Sequence, residues 1–96
     1  MKVRYTATAL AEVEEIFAYI SNRNHRAAIS VRERIERTID TLAEIPEIAQ
    51  LTDEPGVRRM PLRSYPYLIF YTVEVGELVI LHVRHGARRV PWEEDE

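Results

Sequence analysis

Residues 57–92 read VRRMPLRSYPYLIFYTVEVGELVILHVRHGARRVPW, and this run decides the fold. Its apolar stretches, rich in Val, Ile, Leu and Tyr, predict strands over about 57–63, 67–75 and 78–85. Ser64-Tyr65-Pro66 and Gly76-Glu77 separate them with residues that favour tight turns. Short connections between consecutive strands imply an antiparallel meander. The same run is basic: Arg58, Arg59, Arg63, Arg84, Arg88 and Arg89 face only Glu74 and Glu77, a net charge of +4. The first 56 residues carry a net −3 and Glu93 to Glu96 a further −4, so the overall −3 conceals a polarised molecule. A basic surface on an acidic chain points to an anionic partner approached from one side.

Working outward, the 96 residues suffice for a single domain spanning 1–96, with 93–96 read as a frayed acidic tail. The 46% hydrophobic and 30% charged content is that of an ordinary soluble chain and argues against disorder. No cysteine is present, which excludes disulfides and thiolate metal sites. No apolar run is long enough to span a membrane, and the first ten residues lack a signal-peptide core. A cytoplasmic protein without membrane partners is expected.

Upstream of the meander, residues 2–6 alternate as a short strand. A first helix follows, with Thr8 as the expected N-cap and Leu10, Val13, Ile16, Phe17 and Ile20 on its apolar stripe. Glu12, Glu14 and Glu15 are expected near its start, where negative charge suits the helix dipole. Residues 21–24, Ser-Asn-Arg-Asn, make a joint. A second helix is expected over about 25–45, its stripe formed by Ala28, Val31, Ile35, Ile39, Leu42 and Ile45, with a Glu33–Arg37 pair on the wet side. Pro46 ends it, and a loop runs to Pro55-Gly56. The fold class is α+β in the order β-α-α-β-β-β, a helical hairpin packed on one face of a small antiparallel sheet.

Strand alternation divides the meander into two faces. With Met60, Leu62, Leu68, Phe70, Val79, Leu81 and Val83 taken as the inward set, the face away from the helices collects Arg59, Arg63, Tyr67, Tyr71, His82 and Arg84. Guanidinium forks bind phosphate or carboxylate, and tyrosine rings stack on bases, so this combination suits RNA or an acidic peptide. An ordinary solvated face accounts for the same residues, since strands favour tyrosine by propensity alone. A register slip of one residue would exchange the two faces.

Other constellations carry little. His82 and His85 would point to opposite faces of a strand, so no metal site is expected. Gly56, Gly76 and Gly86 are too sparse for a phosphate-cradling loop, and Ser64 has no base beside it. No cofactor is expected.

The segments Pro46-Glu47-Ile48, Pro55-Gly56-Val57-Arg58-Arg59, Leu62-Arg63-Ser64-Tyr65-Pro66-Tyr67-Leu68-Ile69-Phe70-Tyr71 and Val83-Arg84-His85-Gly86-Ala87-Arg88-Arg89 stand in an order and spacing that resemble the RelE/ParE superfamily of type II toxin–antitoxin toxins. The ParE branch is the nearer. The resemblance implies a growth-inhibiting, plasmid-stabilising toxin neutralised by a cognate antitoxin, the two assembling as a heterotetramer. In RelE-like members, which are ribosome-dependent mRNA endonucleases, basic residues stabilise the charge that grows as a 2′-hydroxyl attacks phosphate. Arg63 and Arg88 match those positions, and His85 is the candidate proton shuttle. Glu47 stands where some relatives place a general base. Where nuclease members carry a late aromatic acid/base group, this chain has Pro91-Trp92 and acidic residues.

ParE-like members instead poison DNA gyrase by protein contact, and the missing acid/base group favours that side. The resemblance therefore implies a gyrase inhibitor first. A metal-independent mRNA endonuclease, or a non-toxic binding relic, is the alternative. The expected target- or antitoxin-binding residues are Arg59, Arg63, Tyr67, Tyr71, Arg84, Arg88, Arg89 and Trp92.

Overall fold

The computed structural model describes residues 1–93. The chain runs β1 (Lys2–Tyr5), α1 (Ala7–Ser21), α2 (His25–Glu44), a 3-10 turn at Pro46–Ile48, β2 (Gln50–Leu51), β3 (Val57–Pro61), β4 (Tyr67–Glu74), β5 (Glu77–His85) and a second 3-10 turn at Pro91–Glu93. Five strands form one sheet in the order β1-β5-β4-β3-β2. Strands β2 to β5 pair antiparallel, and β1 closes the far edge parallel to β5, so the sheet is mixed. The α+β plan of a helical hairpin on a meander is the one expected. The short β2 was not foreseen, because two residues carry no periodicity to read. The acidic tail beyond Glu93 lies outside the described residues.

Both helices start on a side-chain cap. Thr6, rather than Thr8, accepts the Ala9 N–H at 3.0 Å, so α1 begins earlier than its sequence suggests. Its first turn consequently holds no acidic residue, and Glu12, Glu14 and Glu15 fall beyond the reach of the dipole. Asn24 accepts from the Ala27 N–H at 3.0 Å to start α2. The α1 face on the core runs Ala9, Val13, Ile16 and Ile20, which leaves Leu10 about a hundred degrees off the stripe and exposed. Ile45 is exposed as well, because α2 ends at Glu44 and the chain turns there.

Burial of Val31, Ile35, Ile39 and Leu42 along α2 is worth about 1.5–3 kcal/mol apiece. The exposed Arg32–Glu14 ion pair between the helices, at 3.4 Å, adds at most about 1 kcal/mol. Apolar packing therefore holds the hairpin down. Phe17 sits between the helices, with the Arg32 guanidinium 3.8 Å from its ring centroid and the His25 imidazole edge-on at 5.8 Å. No ion pair joins Glu33 to Arg37.

One irregularity decides which side chains face the helices. Phe70 pairs with His82 but Tyr71 pairs with Ile80, so Leu81 has no partner on β4 and forms a bulge. On β5 the helix-facing set is Leu78 and Ile80 before the bulge and Val83 after it. Strict alternation cannot follow a strand that changes parity midway. On β4, which has no inserted residue, the inward set assigned from sequence is wrong for a different reason, the choice of starting parity: Tyr67, Ile69 and Tyr71 face the helices, while Leu68 and Phe70 face away. Val79 also faces away, and Leu81 is the bulged residue. Along β3 and just past it the assignment is right for Met60 and Leu62, toward the helices, and for Arg59, opposite and across from Phe70, but wrong for Arg63, which lies beside α2.

Candidate functional site

Strand β5 is flanked by two recesses that share Arg84, and Glu12 lines the one beside α1. Strand β1 ends at Tyr5, leaving the edge of β5 beyond Ile80 without a neighbouring strand. Thr6 takes over first, donating its N–H to the Ile80 carbonyl at 3.0 Å and its hydroxyl to the Leu81 carbonyl at 3.1 Å. Glu12 of α1 follows. One carboxylate oxygen accepts the Val83 N–H at 3.0 Å, and the other accepts Nε of Arg84 at 2.9 Å. The His82 imidazole lies 3.3 Å from the same carboxylate. The Glu12 and Arg84 side chains are only 11% and 10% exposed, so this is a buried ion pair closing a sheet edge.

On the face away from the helices, a cleft of about 570 Å³ is lined by Thr6, Phe70, His82, Arg84 and Trp92 among others. It is not an open sheet. The second 3-10 turn lays Trp92 edge-on against Phe70, centroids 5.8 Å apart, and Phe70 is buried as a result. On the helix side, a groove of about 290 Å³ lies between α1 and the end of β5 and is lined by Ile16, Tyr19, Tyr67, His85 and Arg88. There the Tyr67 ring meets His85 edge-on at 5.7 Å. His85 Nδ1 accepts the Ala87 N–H at 3.1 Å, which leaves Nε2 as the nitrogen able to exchange a proton with a ligand.

The residues picked out by sequence are dispersed. Arg59, Arg84 and Trp92 lie on the face away from the helices. Tyr67, His85 and Arg88 line the groove beside α1. Arg63 lies beside α2, in a third recess of about 390 Å³ shared with Arg34 and Arg37. Arg89 is exposed beyond β5. Tyr71 is fully buried against the helices, its hydroxyl donating to the Pro46 carbonyl at 2.6 Å. Burial pushes its phenol pKa up, as it does for Tyr67. The single surface uniting Arg59, Arg63, Arg84, Tyr67 and Tyr71 does not exist, because the true parity of β4 turns both tyrosines toward the helices and Arg63, beyond the end of β3, lies beside α2. Glu47 is exposed in the first 3-10 turn, and its carbonyl, with that of Ala49, takes hydrogen bonds from Arg58.

Sequence reasoning missed Glu12, which nothing local distinguishes from Glu14 or Glu15. It also missed Arg34 and Arg37, which a helical projection of α2 would have put on one side with Arg63 in reach. Among the described residues, no cluster of three or more histidine or carboxylate side chains could hold a metal, and no helix is long and apolar enough to cross a membrane.

Residues 3–90 match the family model of the ParE toxin of the type II toxin–antitoxin system parDE. The chain belongs to the ParE toxin family. This ParE-family chain is 33% identical over 90 residues to the toxin-class protein Y4kP of Sinorhizobium fredii, covering 94% of this chain and 93% of the relative. It is 34% identical over 87 residues to toxin RelE2 of Caulobacter vibrioides, covering 91% and 97% respectively. Solved structures share the fold, and two of them show how closely. A chain of the chromosomal ParDE system of P. aeruginosa superposes with a TM-score of 0.79 at 20% identity, covering 88% of this chain and 95% of that one. The isolated E. coli RelE toxin gives 0.69 at 20% identity, covering 98% and 93%.

Proposed function

We propose that this ParE-family toxin arrests growth by protein contact with DNA gyrase and is held inactive in the cytoplasm by a cognate antitoxin. One observation supports the contact reading above the others. The candidates for RNA cleavage do not converge: Arg63 lies beside α2, while His85 and Arg88 lie beside α1. In-line attack needs a phosphate held by cations within hydrogen-bond reach of an acid and a base. Tyr71, a phenol of the kind that could serve as an acid, is buried and bonded to a carbonyl.

The antitoxin is inferred from the family and from solved relatives described as ParDE and RelBE toxin–antitoxin complexes. Large exposed side chains on both helices, Leu10, Tyr19 and Ile29, give such a partner apolar surface to bury. A heterotetramer and a plasmid-stabilising role belong to the same proposal.

A second reading rests on the groove beside α1. Tyr67, His85 and Arg88 share it, and a relative carries the RelE name, so a metal-independent endoribonuclease would use His85 and Arg88 there. Purified protein should inhibit gyrase supercoiling and leave messages on translating ribosomes uncut. Cleavage of ribosome-bound message without effect on gyrase would reverse the two readings. A folded protein that does neither, and whose expression is harmless, would be a binding relic.

A further inference from the structure

The recess beside α2 has a composition unlike the other two. Arg34 and Arg37 project from successive turns of α2, and Arg63 follows the end of β3 across from them. None of the three has an ion pair among the described residues. Glu33 borders the upper end, and no bond ties it to these arginines. The acidic residues Glu36 and Asp40 act instead on Tyr5, at the β1 side of the helix. Helix α2 is thus acidic along one flank and basic along the other. The hydroxyls of Thr38 and Thr41, which also line the recess, donate back to the carbonyls of Arg34 and Arg37, so guanidinium groups are its main donors.

We propose that the Arg34–Arg37–Arg63 groove is a docking surface for the phosphate backbone of duplex DNA. Three guanidinium groups without an ion pair among the described residues make a locally positive surface that attracts an anion. Arginines three apart on a helix stand about 5–6 Å apart at Cβ, which presents a row of forks to a row of charges. An acidic protein segment fits less well. Protein interfaces draw their energy from aromatic or aliphatic anchors in apolar pockets, and only Met60 and Pro61 are apolar here. A single strand also fits less well, because it needs aromatic platforms for its bases. The adjacent aromatic, Tyr65, is packed against the core. A duplex backbone asks only for positioned cations. The inference deepens the proposed action on gyrase, whose substrate is duplex DNA, and rests on that reading for its purpose alone.

The test uses the full chain without gyrase, so that either proposal can fail by itself. Binding of a short fluorescent duplex of mixed sequence is followed by anisotropy against salt. Three phosphate contacts give a slope of log K on log salt of about −2.7, hence about 40-fold weaker binding between about 50 and 200 mM salt. Arg34→Gln/Arg37→Gln should reduce the slope to about −0.9. Arg4→Gln/Arg23→Gln changes the net charge equally on other surfaces and should leave the slope unchanged. Arg63→Gln, outside any helix or strand, should remove about one unit and serves if the double variant does not fold. The proposal is overturned by absence of binding at the lowest salt, or by equal slopes for the two double variants. Tighter binding of polyglutamate or single-stranded RNA than of the duplex would overturn it too.

Discussion

Replacing Glu12 by alanine tests the clamp at the edge of β5. The substitution strips the Val83 N–H of its acceptor and the Arg84 Nε of its carboxylate, both in nearly closed surroundings. Leaving one member of a buried ion pair without the other costs about 3–5 kcal/mol, and an unmet buried N–H about 1–3 kcal/mol. The two do not add, since one carboxylate serves both. Arg84 also keeps a further interaction, which draws the figure to the lower end. The expected loss is about 3 kcal/mol, a large share of the roughly 5–15 kcal/mol that holds a domain together. For a chain of this size that is about 12–24 °C in Tm.

Urea unfolding followed by the fluorescence of Trp92, the sole tryptophan, provides the measurement. Glu12→Gln separates charge from hydrogen bonding. Its amide oxygen can still accept from Val83, but its NH₂ faces the Arg84 donor, so it should recover less than half of the loss. Arg84→Met and the double variant complete a cycle. Replacing both members by apolar groups should cost less than removing Glu12 alone. A Glu12→Ala protein within about 0.5 kcal/mol of wild type, or a cycle without coupling, would refute the clamp.

Two further perturbations probe what encloses the sheet. Tyr71→Phe removes the bond to the Pro46 carbonyl and should cost about 1 kcal/mol at neutral pH. Because burial raises the pKa of Tyr71, Tyr5 and Tyr67, the fold favours their neutral forms. Stability is then complete below the ordinary phenol value of 10.0 and falls as pH rises toward and past the raised values. The urea midpoint of Tyr71→Phe should fall less steeply above that pH, and an unchanged slope would remove Tyr71 from the account. Trp92→Ala uncovers Phe70 and forfeits an aromatic contact worth about 0.5–1.5 kcal/mol beyond area burial. Circular dichroism should show a loss of about 2 kcal/mol, and none would mean that the second 3-10 turn does not cover that face.

Much of the fold was legible because its signals are local. Pro46, the turn at Gly76 and the stripe of α2 each speak through adjacent residues, and the elements end within a residue or two of where those signals place them. Gly76 has a φ of +71°, the left-handed value that makes a glycine the natural choice in the hairpin between Glu74 and Glu77. Strand β2 was not legible, since its pairing with Arg58 and Arg59 is wholly tertiary. Nor was the cap at Thr6, because Thr6 and Thr8 look alike until the Leu81 carbonyl gives Thr6 a second partner.

The candidate site failed for a related reason. On β4, taking Leu68 and Phe70 as the inward pair puts Tyr67 and Tyr71 on the wrong face. On β5, alternation carried back from Val83 misplaces Val79 across one inserted residue. Leu81 is that residue. Its apolar side chain made Val79, Leu81 and Val83 look like one continuous set, although the bulge divides them. The bulge also brings the Val83 N–H and the Arg84 side chain to the same free edge, where Glu12 meets both. Arg84, the apparent centre of a binding face, is thereby committed to holding α1 on the sheet. A loss of toxicity in Arg84→Ala would accordingly report on folding before it reported on a target. Arg63 and Arg88 are exposed side chains in separate recesses, so their variants test binding without dismantling the clamp.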